Sequence, residues 1–251
     1  MYKLTAVMND GGEQVEVELA DQGDVERIVA QVRNPDDAEI VRIDSDVDGL
    51  AEWLTRVTEG ADIWLLAEYA DTFDHIYGPR LATDPDFVNA VELVLEHQEE
   101  VGDVENALMM LDSLDYGSEC IYDVLDVLGF PYGLDALESG DFVYCDGVVD
   151  DEDLGEYLIN QGGEGVANVS SLTSYLDLHD LGQRLIDDND YDEQEVIEDH
   201  GTIEQFAEYM VDEGLVGQDV LDDYFDYEMY GKDCYSDFTG GYGTYGFVYV
   251  P

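Results

Sequence analysis

Acidic side chains far outnumber basic ones in this chain, and the imbalance limits both what it can fold into and what it can bind. The sequence contains 63 Asp and Glu against 8 Lys and Arg, a formal net charge of −55 at pH 7. Like charges held together in one compact chain destabilise it through self-repulsion. Repulsion from phosphate excludes nucleic acid as a partner, and the same sign argument excludes an anionic membrane surface. The charge favours a basic partner, cations or a very salty solvent.

The chain nevertheless has enough apolar side chains to form hydrophobic cores. Hydrophobic residues make up 45% of the sequence and aromatic residues 11%, which is too many for a simple acidic disordered polymer. No stretch approaches the ~18 apolar residues of a membrane span, and no basic segment followed by an apolar core opens the sequence. Cys120, Cys145 and Cys234 are far apart, which favours free thiols over a disulfide frame or a zinc site. These features predict a cytoplasmic protein.

Hydrophobic periodicity predicts an α+β fold, an elongated string of small modules. Residues 1–60 are predicted to form a small α+β N-terminal domain that opens with a β-hairpin around Gly11 and Gly12. Residues 61–140 are predicted to form a mostly helical middle domain, with a helix break at Gly78-Pro79.

The C-terminal half contains an internal repeat. Residues 154–162 resemble residues 206–214, and residues 174–182 resemble residues 223–231. The offsets are 52 and 49 positions, a difference that a loop insertion would absorb. Repeats of about 50 residues are typical of modules that are too small to be stable alone. The predicted copies are residues 141–189 and 190–251; short strands are expected at residues 142–145 and 195–197, and a Tyr-rich strand at residues 242–250.

The negative charge is concentrated after the first module. Residues 1–60 hold 15 acidic and five basic residues, a net charge of −10, whereas residues 61–251 hold 48 acidic and three basic residues, a net charge of −45. Duplex DNA carries one charge per ~1.7 Å, so 45 charges correspond to roughly 75 Å of duplex. Helical runs such as Glu204, Glu208 and Asp212 lack the Lys partners of an ordinary solvated face. Such a surface is favourable where its negative electrostatic field serves to bind a basic partner, or where molar salt screens the repulsion.

No motif in the sequence indicates an enzyme, a metal or a cofactor. Residues 44–49 match the opening of a calcium-binding EF-hand loop, but Thr55 stands where the bidentate Glu is required. The glycines of residues 240–246 lack the Lys and the strand–helix context of a phosphate-binding loop. The four histidines show no metal-binding spacing. Paired carboxylates could serve acid–base catalysis in any fold of this composition, and so none can be singled out.

The C-terminal copy resembles the C-terminal domain of the ArdA antirestriction family. In that family, a helix ending at a Gly-x-Leu/Val-Gly segment is followed by a Tyr-hydrophobe-Asp-Tyr/Phe-Glu-x-x-Gly-Arg-Asp block and a closing strand. The matching positions here are Leu215, Gly217, Leu221, Tyr224, Phe225, Asp226, Tyr227, Glu228, Tyr230, Gly231, Lys232 and Asp233. Lys232 replaces the family's usual Arg, which keeps the charge but loses the forked hydrogen bonding. Residues 141–189 match more weakly, with His179 in place of the Glu.

The resemblance implies a non-enzymatic inhibitor carried by phages or other mobile elements. Such proteins occupy the DNA-binding groove of type I restriction–modification enzymes, where their carboxylates imitate the phosphates of duplex DNA, and they are often dimers. The acids expected to imitate phosphate here are Glu92, Glu96, Glu99, Glu100, Asp123, Asp126, Asp150, Asp151, Glu152, Asp153, Asp187, Asp188, Glu204, Glu208, Asp212, Glu213, Asp222 and Asp223. The block from Leu215 to Met229 is expected to fold the terminal domain and to pair two chains, with Tyr227 and Tyr230 as surface aromatics that support a homodimer.

Two other classes of protein also fit the composition. A halophilic intracellular protein would be acidic because its solvent is salty, and it should lose structure below about molar salt. An acidic, low-affinity calcium-binding protein should bind many Ca²⁺ ions weakly. A DNA mimic should instead remain folded at ordinary ionic strength.

Overall fold

The computed structural model describes residues 2–20, 22–59, 62–162 and 165–251 and confirms an α+β fold. The chain divides into two compact units, Met1–Tyr144 and Cys145–Pro251. The finer division into four modules stays a prediction, and its boundary between residues 60 and 61 lies outside the described residues. Within the described ranges, no helix has the length and apolarity needed to cross a lipid bilayer.

The first unit opens with a three-stranded antiparallel sheet in the order β2–β1–β3. The strands are β1 (Leu4–Asp10), β2 (Glu13–Glu18) and β3 (Glu39–Ser45). Gly11 and Gly12 form the predicted hairpin turn. Both have positive φ, a backbone conformation in which most other residues would be strained. Alternate residues of β1 are fully buried, so one face of the sheet lies on the hydrophobic core.

The rest of this unit is helical. Its helices are α1 (Val25–Val29), α2 (Leu50–Val57), α3 (Ile63–Leu81), α4 (Pro85–Glu96), α5 (Gln98–Val101), α6 (Val104–Ser113), α7 (Ser118–Leu128) and α8 (Tyr132–Ser139). Several begin at an aspartate whose side chain accepts a hydrogen bond from a backbone N–H of the first turn; these are Asp24, Asp62, Asp84 and Asp103. Such caps satisfy orphan donors and place negative charge at the positive end of the helix dipole. Part of the chain's acidity therefore stabilises its helices.

The predicted helix break at Gly78-Pro79 is wrong, because α3 continues through both residues to Leu81. A proline removes one backbone donor, and its ring conflicts with the preceding turn. Here Pro79 lies in the last turn of the helix, and the backbone N–H of Ala82 still donates to Gly78 O at 3.0 Å. The helical hydrogen bonding therefore continues past the proline to the end of α3.

The second unit combines a small sheet with a helical cluster. Its strands are β4 (Val143–Asp146), β5 (Thr239–Tyr242) and β6 (Gly246–Val250), in the order β4–β6–β5; β4 begins with the last two residues of the first unit. Its helices are α9 (Asp151–Gly162), α10 (Leu178–Asp188), α11 (Glu193–His200), α12 (Ile203–Asp212), α13 (Gln218–Asp222) and α14 (Tyr227–Tyr235). The strand predicted at residues 142–145 corresponds to β4. The terminal strand predicted at residues 242–250 is present as β6, which starts later, at Gly246, and pairs antiparallel with β5 in a hairpin.

The strand predicted at residues 195–197 is wrong, because these residues lie inside α11. The Asp192 side chain accepts hydrogen bonds from the backbone N–H groups of Gln194 and Glu195, which starts a helix at this point. A run of three residues is too short for periodicity to distinguish strand from helix. The N-cap aspartate decides the outcome.

The two copies of the repeat pack reciprocally inside this unit. Helix α9 of the first copy corresponds to α12 of the second, and α10 corresponds to α14. In the structure α9 packs against α14, while α10 packs against α12. Between them, Leu176 and Phe225 form an isolated antiparallel bridge. The Asp177 N–H donates to Tyr224 O at 3.0 Å, and the Asp226 N–H donates to Tyr175 O at 2.7 Å. Tyr175 is equivalent to Tyr224 in the repeat, and Asp177 is equivalent to Asp226. Each copy therefore makes the same hydrogen bond to the other.

Two glycines sit at the equivalent close contacts. A Cβ on Gly182 of α10 would lie 2.6 Å from Ile203 O at the start of α12, and a Cβ on Gly231 of α14 would overlap Asp151 O at the start of α9. Gly182 and Gly231 are 49 positions apart, and Asp151 and Ile203 are 52 apart, which are the two offsets of the sequence repeat. The repeat thus describes one interlocked arrangement in which each copy completes the other.

Candidate interaction surface

Most of the carboxylates expected to imitate phosphate are exposed to solvent. The exposed members are Glu96, Glu99, Glu100, Asp126, Asp150, Glu152, Asp187, Asp188, Glu204, Glu208, Asp212, Glu213, Asp222 and Asp223. Both units carry the charge, with 35 acidic and six basic residues in the first and 28 acidic and two basic residues in the second. Net charges of −29 and −26 follow, so the acidity is spread over both units.

Asp123 does not belong to this surface, and its assignment as a phosphate-imitating acid is wrong. It lies on α7 with no exposed area, and the Tyr144 hydroxyl donates to its Oδ2 at 3.5 Å. A buried carboxylate cannot be presented to a partner, and burying a charge is costly unless the group is hydrogen-bonded. Asp123 and Asp126 are three residues apart and lie on neighbouring parts of the surface of α7, but Asp123 is buried with Ile121 and Val124, whereas Asp126 is exposed.

Three other acids of the set are only partly exposed and hold the fold together. Glu92 accepts a hydrogen bond from the Asp48 N–H at 2.9 Å, and burial followed by neighbouring carboxylates raises its pKa. Asp151 accepts from the Tyr242 hydroxyl at 2.7 Å, and Asp153 accepts from the Val149 N–H at 3.0 Å. The bonds of Glu92 and Asp151 connect segments that are far apart in sequence, and the bond of Asp153 is local to the start of α9, so the three carboxylates have structural roles.

Helix α12 presents the clearest acidic face. Glu204, Glu208 and Asp212 follow one another at intervals of four, all exposed, so they lie along one side of the helix. Like charges at this spacing destabilise a helix by a few tenths of a kcal/mol per pair. Hydrogen bonds from its own N–H, the Thr202 hydroxyl and the His179 ring lower the pKa of Glu204 to about 2. The start of this face therefore remains ionised even in acid.

Most of the basic side chains already pair with acids of the chain. Ion pairs are formed by Lys3, Arg27, Arg33, Arg42, Arg80 and Arg184. Arg184 is the best held, with Nη1 at 2.6 Å from Asp223 Oδ2 and Nε at 3.3 Å from Asp188 Oδ2. Because the cations are so few, these pairs leave most exposed carboxylates without a counter-charge.

The aromatic block that resembles the ArdA family lies mostly inside the second unit. Phe225 is buried, and its ring centroid lies 4.9 Å from that of Tyr227 and 5.5 Å from that of Tyr230. Both tyrosines are half-buried and pack on the core formed by the two copies. Burial, followed by a hydrogen bond to Cys234, raises the pKa of Tyr230 to about 12. Tyr227 and Tyr230 therefore contribute to the core while part of each ring stays exposed, and their role in a homodimer stays a prediction.

The remaining positions of this block divide between core and surface. Leu221 and Gly231 are buried, and Tyr224 packs partly buried on the same core. The exposed members are Leu215, Gly217, Asp226, Glu228, Lys232 and Asp233. Asp226 caps α14, and Asp233 accepts a hydrogen bond from the Tyr175 hydroxyl at 3.1 Å. The block is chiefly a folding motif.

The EF-hand-like residues serve the fold of the first unit. Asp46 Oδ1 accepts a hydrogen bond from the Lys3 N–H at 2.6 Å, and Asp44 pairs with the Arg42 guanidinium at 2.8 Å. Gly49 caps α2 with positive φ, where a Cβ would lie 2.7 Å from the Leu95 side chain. Over the described parts of the chain, no group of three or more His, Cys, Asp or Glu side chains is arranged to hold a metal ion.

Comparisons of the chain with family models, curated proteins and solved structures gave no match.

Proposed function

We propose that this protein is a non-enzymatic antirestriction protein that mimics duplex DNA. It would act in the cytoplasm of the infected or recipient host cell, where it would occupy the DNA-binding groove of a type I restriction–modification enzyme. The observation that carries this proposal is the surface of exposed carboxylates, which extends over both units with very few cations to neutralise it. A surface of this kind opposes folding, and a basic partner relieves the repulsion.

The proposed mechanism is electrostatic capture. DNA-binding grooves present Arg and Lys side chains that contact phosphate oxygens and position the duplex. Exposed carboxylates such as those of α12 can accept the same charge-assisted hydrogen bonds, including forked bonds from Arg. The net charge would also steer the encounter and raise the rate of association. No bond is made or broken, which agrees with a chain that offers no catalytic motif.

The identity of the target class comes from the resemblance in residues 206–233. Several residues of that block are buried in the core of the second unit. A homodimer is part of the proposal, since the family that the chain resembles is often dimeric. Light scattering at 0.15 M salt should give a mass close to twice the 28.0 kDa of one chain.

The proposal is tested by displacement of a labelled duplex from a type I methyltransferase at about 0.15 M salt. The protein should release the DNA at concentrations near that of the enzyme. Polyglutamate at equal total charge is the matched control, and it should displace the duplex much less, because its carboxylates are not held on a folded surface. Equal displacement by both polyanions, or none by the protein, would contradict the proposal.

A salt titration of the free protein separates the proposal from the halophilic alternative. The circular dichroism of the protein should be the same at 0.15 M and 2 M salt, since a mimic must be folded in an ordinary cell. Unfolding at 0.15 M salt would favour a protein adapted to a saline solvent, in which only high salt screens the repulsion.

A further inference from the structure

The first unit contains an apolar groove between two of its helices. Leu65, Tyr69 and Ile76 of α3 line one side, Leu108 and Met109 of α6 line the other, and the groove has a volume of about 310 Å³. Its floor includes Trp53, whose ring stands edge-on to that of Tyr69 at 5.9 Å. Leu65 is 36% exposed and Met109 is 50% exposed, so large apolar side chains at its rim face solvent. Exposed apolar patches on an otherwise charged surface mark interaction sites.

The shape of the groove fits a helix. On α3 it extends from Leu65 to Ile76 or Tyr77, which corresponds to roughly 17 Å at 1.5 Å per residue. That length accommodates about three turns of a second helix. An amphipathic helix lays its apolar face into such grooves through residues spaced at i, i+3 or i+4, and i+7.

The charge around the groove selects among amphipathic helices. Glu68 and Glu105 are exposed and belong to its lining, whereas none of the residues described as lining it is basic. Burial raises the pKa of Tyr77 to about 12, and the negative charges of Asp112 and Glu105 add to this effect, so Asp112 also lies near the groove. A helix with Lys or Arg beside its apolar stripe would complement this rim.

We infer that this groove binds an amphipathic helix of a partner protein, with apolar side chains seated between α3 and α6 and flanking Lys or Arg side chains paired with Glu68 and Glu105. The inference is independent of DNA mimicry, because it concerns an apolar contact on two helices and needs no carboxylate surface. The chain carries its own reporters, since Trp53 lines the groove and Trp64, its only other tryptophan, is on α3 next to Leu65.

The test uses the full chain and an 18-residue helical peptide of Leu and Lys in which the leucines form one stripe. The control peptide has the same composition in an order that forms no apolar face, so that non-specific attraction to the acidic chain is equal. At 0.15 M salt, the striped peptide should bind at least tenfold more tightly and should change the tryptophan emission. Equal binding of the two peptides, or binding without a change in emission, would overturn the inference.

Two matched variants locate the site. Met109→Lys places a cation in the groove, whereas Met229→Lys makes the same change of charge at a methionine that is 45% exposed on α14. Met109→Lys should weaken binding of the striped peptide at least tenfold, and Met229→Lys should change it less than twofold. Circular dichroism of both variants checks that they remain folded. Equal effects of the two substitutions would mean that the peptide responds only to total charge, and would overturn the assignment of the groove.

Discussion

His179 and Glu204 form an ion pair whose contribution to stability decreases as His179 loses its proton. His179 Nδ1 lies 2.9 Å from Glu204 Oε1, where α10 meets α12. This hydrogen bond raises the pKa of His179 above its ordinary value of 6.5. Because the folded pKa is the higher one, the stabilisation is fully present below pH 6.5 and is lost as the pH rises through the raised value.

An NMR titration of the histidine side chains measures this effect directly. His179 should titrate above pH 6.5, and Glu204→Gln should return its pKa towards that value. For Glu204 the sign is opposite, since its pKa is lowered to about 2 and its stabilisation is lost as the pH falls from 4.5 towards that value. A His179 that titrates at or below 6.5 in the unsubstituted protein would show that the pair does not form.

Glycine is required at residues 182 and 231 by close backbone approach. A methyl group on either residue would meet the backbone at the start of the opposing helix, which cannot move aside as a flexible side chain can. Gly182→Ala and Gly231→Ala should each destabilise the second unit by about 3 kcal/mol. Gly117→Ala is the control, because a Cβ there has no atom within 4 Å, and its cost should stay below about 1 kcal/mol.

Hydrogen exchange distinguishes the interlocked arrangement from two independent copies. If the copies complete one another, Gly231→Ala should reduce amide protection in α10 and α12 as well as in α9 and α14, because the four helices share one core. Loss of protection confined to α9 and α14 would mean that the two helix pairs fold separately.

At the scale of whole elements, the aromatic block stabilises the second unit. Phe225→Ala should cost about 3 kcal/mol or more, since the ring is buried among Tyr175, Tyr227 and Tyr230. Tyr230→Ala should cost roughly 2 kcal/mol because the ring is only half-buried. Tyr132→Ala, at a tyrosine that is 50% exposed, should change stability by less than ~1 kcal/mol.

Urea unfolding provides the measurement and an internal control. Circular dichroism follows both units, whereas both tryptophans belong to the first unit, so tryptophan emission reports on that unit alone. Phe225→Ala should lower the urea midpoint seen by circular dichroism and leave the emission transition in place. A shift of the emission transition by the same amount would contradict the assignment of Phe225 to the core of the second unit.

The sequence predicted those elements whose signals are local. The hairpin at Gly11 and Gly12 follows from turn residues, and the mostly helical middle of the chain follows from a 3.6-residue period; both are present in the described residues. The strand expected at residues 195–197 failed because an N-cap aspartate outweighed a short apolar run. The repeat was visible in the sequence, but the pairing of α9 with α14 depends on long-range packing, which a pattern of matched residues does not encode.

The same limit applies to the surfaces. Composition predicted an acidic exterior, yet it could not distinguish exposed Asp126 from buried Asp123, because these near neighbours on α7 differ only in how far the packing around the helix extends. The groove between α3 and α6 was also missed. The signal for it was the pair of large apolar residues Trp64 and Leu65 on α3, which are exposed in the structure. Helical periodicity does not show which other helix would lie beside them.

At the scale of the whole molecule, the proposed function depends on many charges acting together. Single changes such as Glu96→Gln or Asp212→Asn should alter binding to a basic groove by at most ~1 kcal/mol each, because both residues are exposed and their fields overlap with many others. Affinities of these variants for a type I methyltransferase, measured beside the unsubstituted protein, provide the check. One such change that abolished inhibition while the fold survived would indicate a discrete site in place of a distributed charge.

The central claim is that the protein and DNA compete for one groove. The measurement is inhibition of a type I methyltransferase at about 0.15 M salt over a range of duplex concentrations. Mimicry predicts that the concentration of protein needed for half inhibition rises in proportion to the duplex concentration once the duplex is saturating. It also predicts that inhibition weakens as added salt screens the carboxylates. Half inhibition at a concentration that is independent of both DNA and salt would contradict the account.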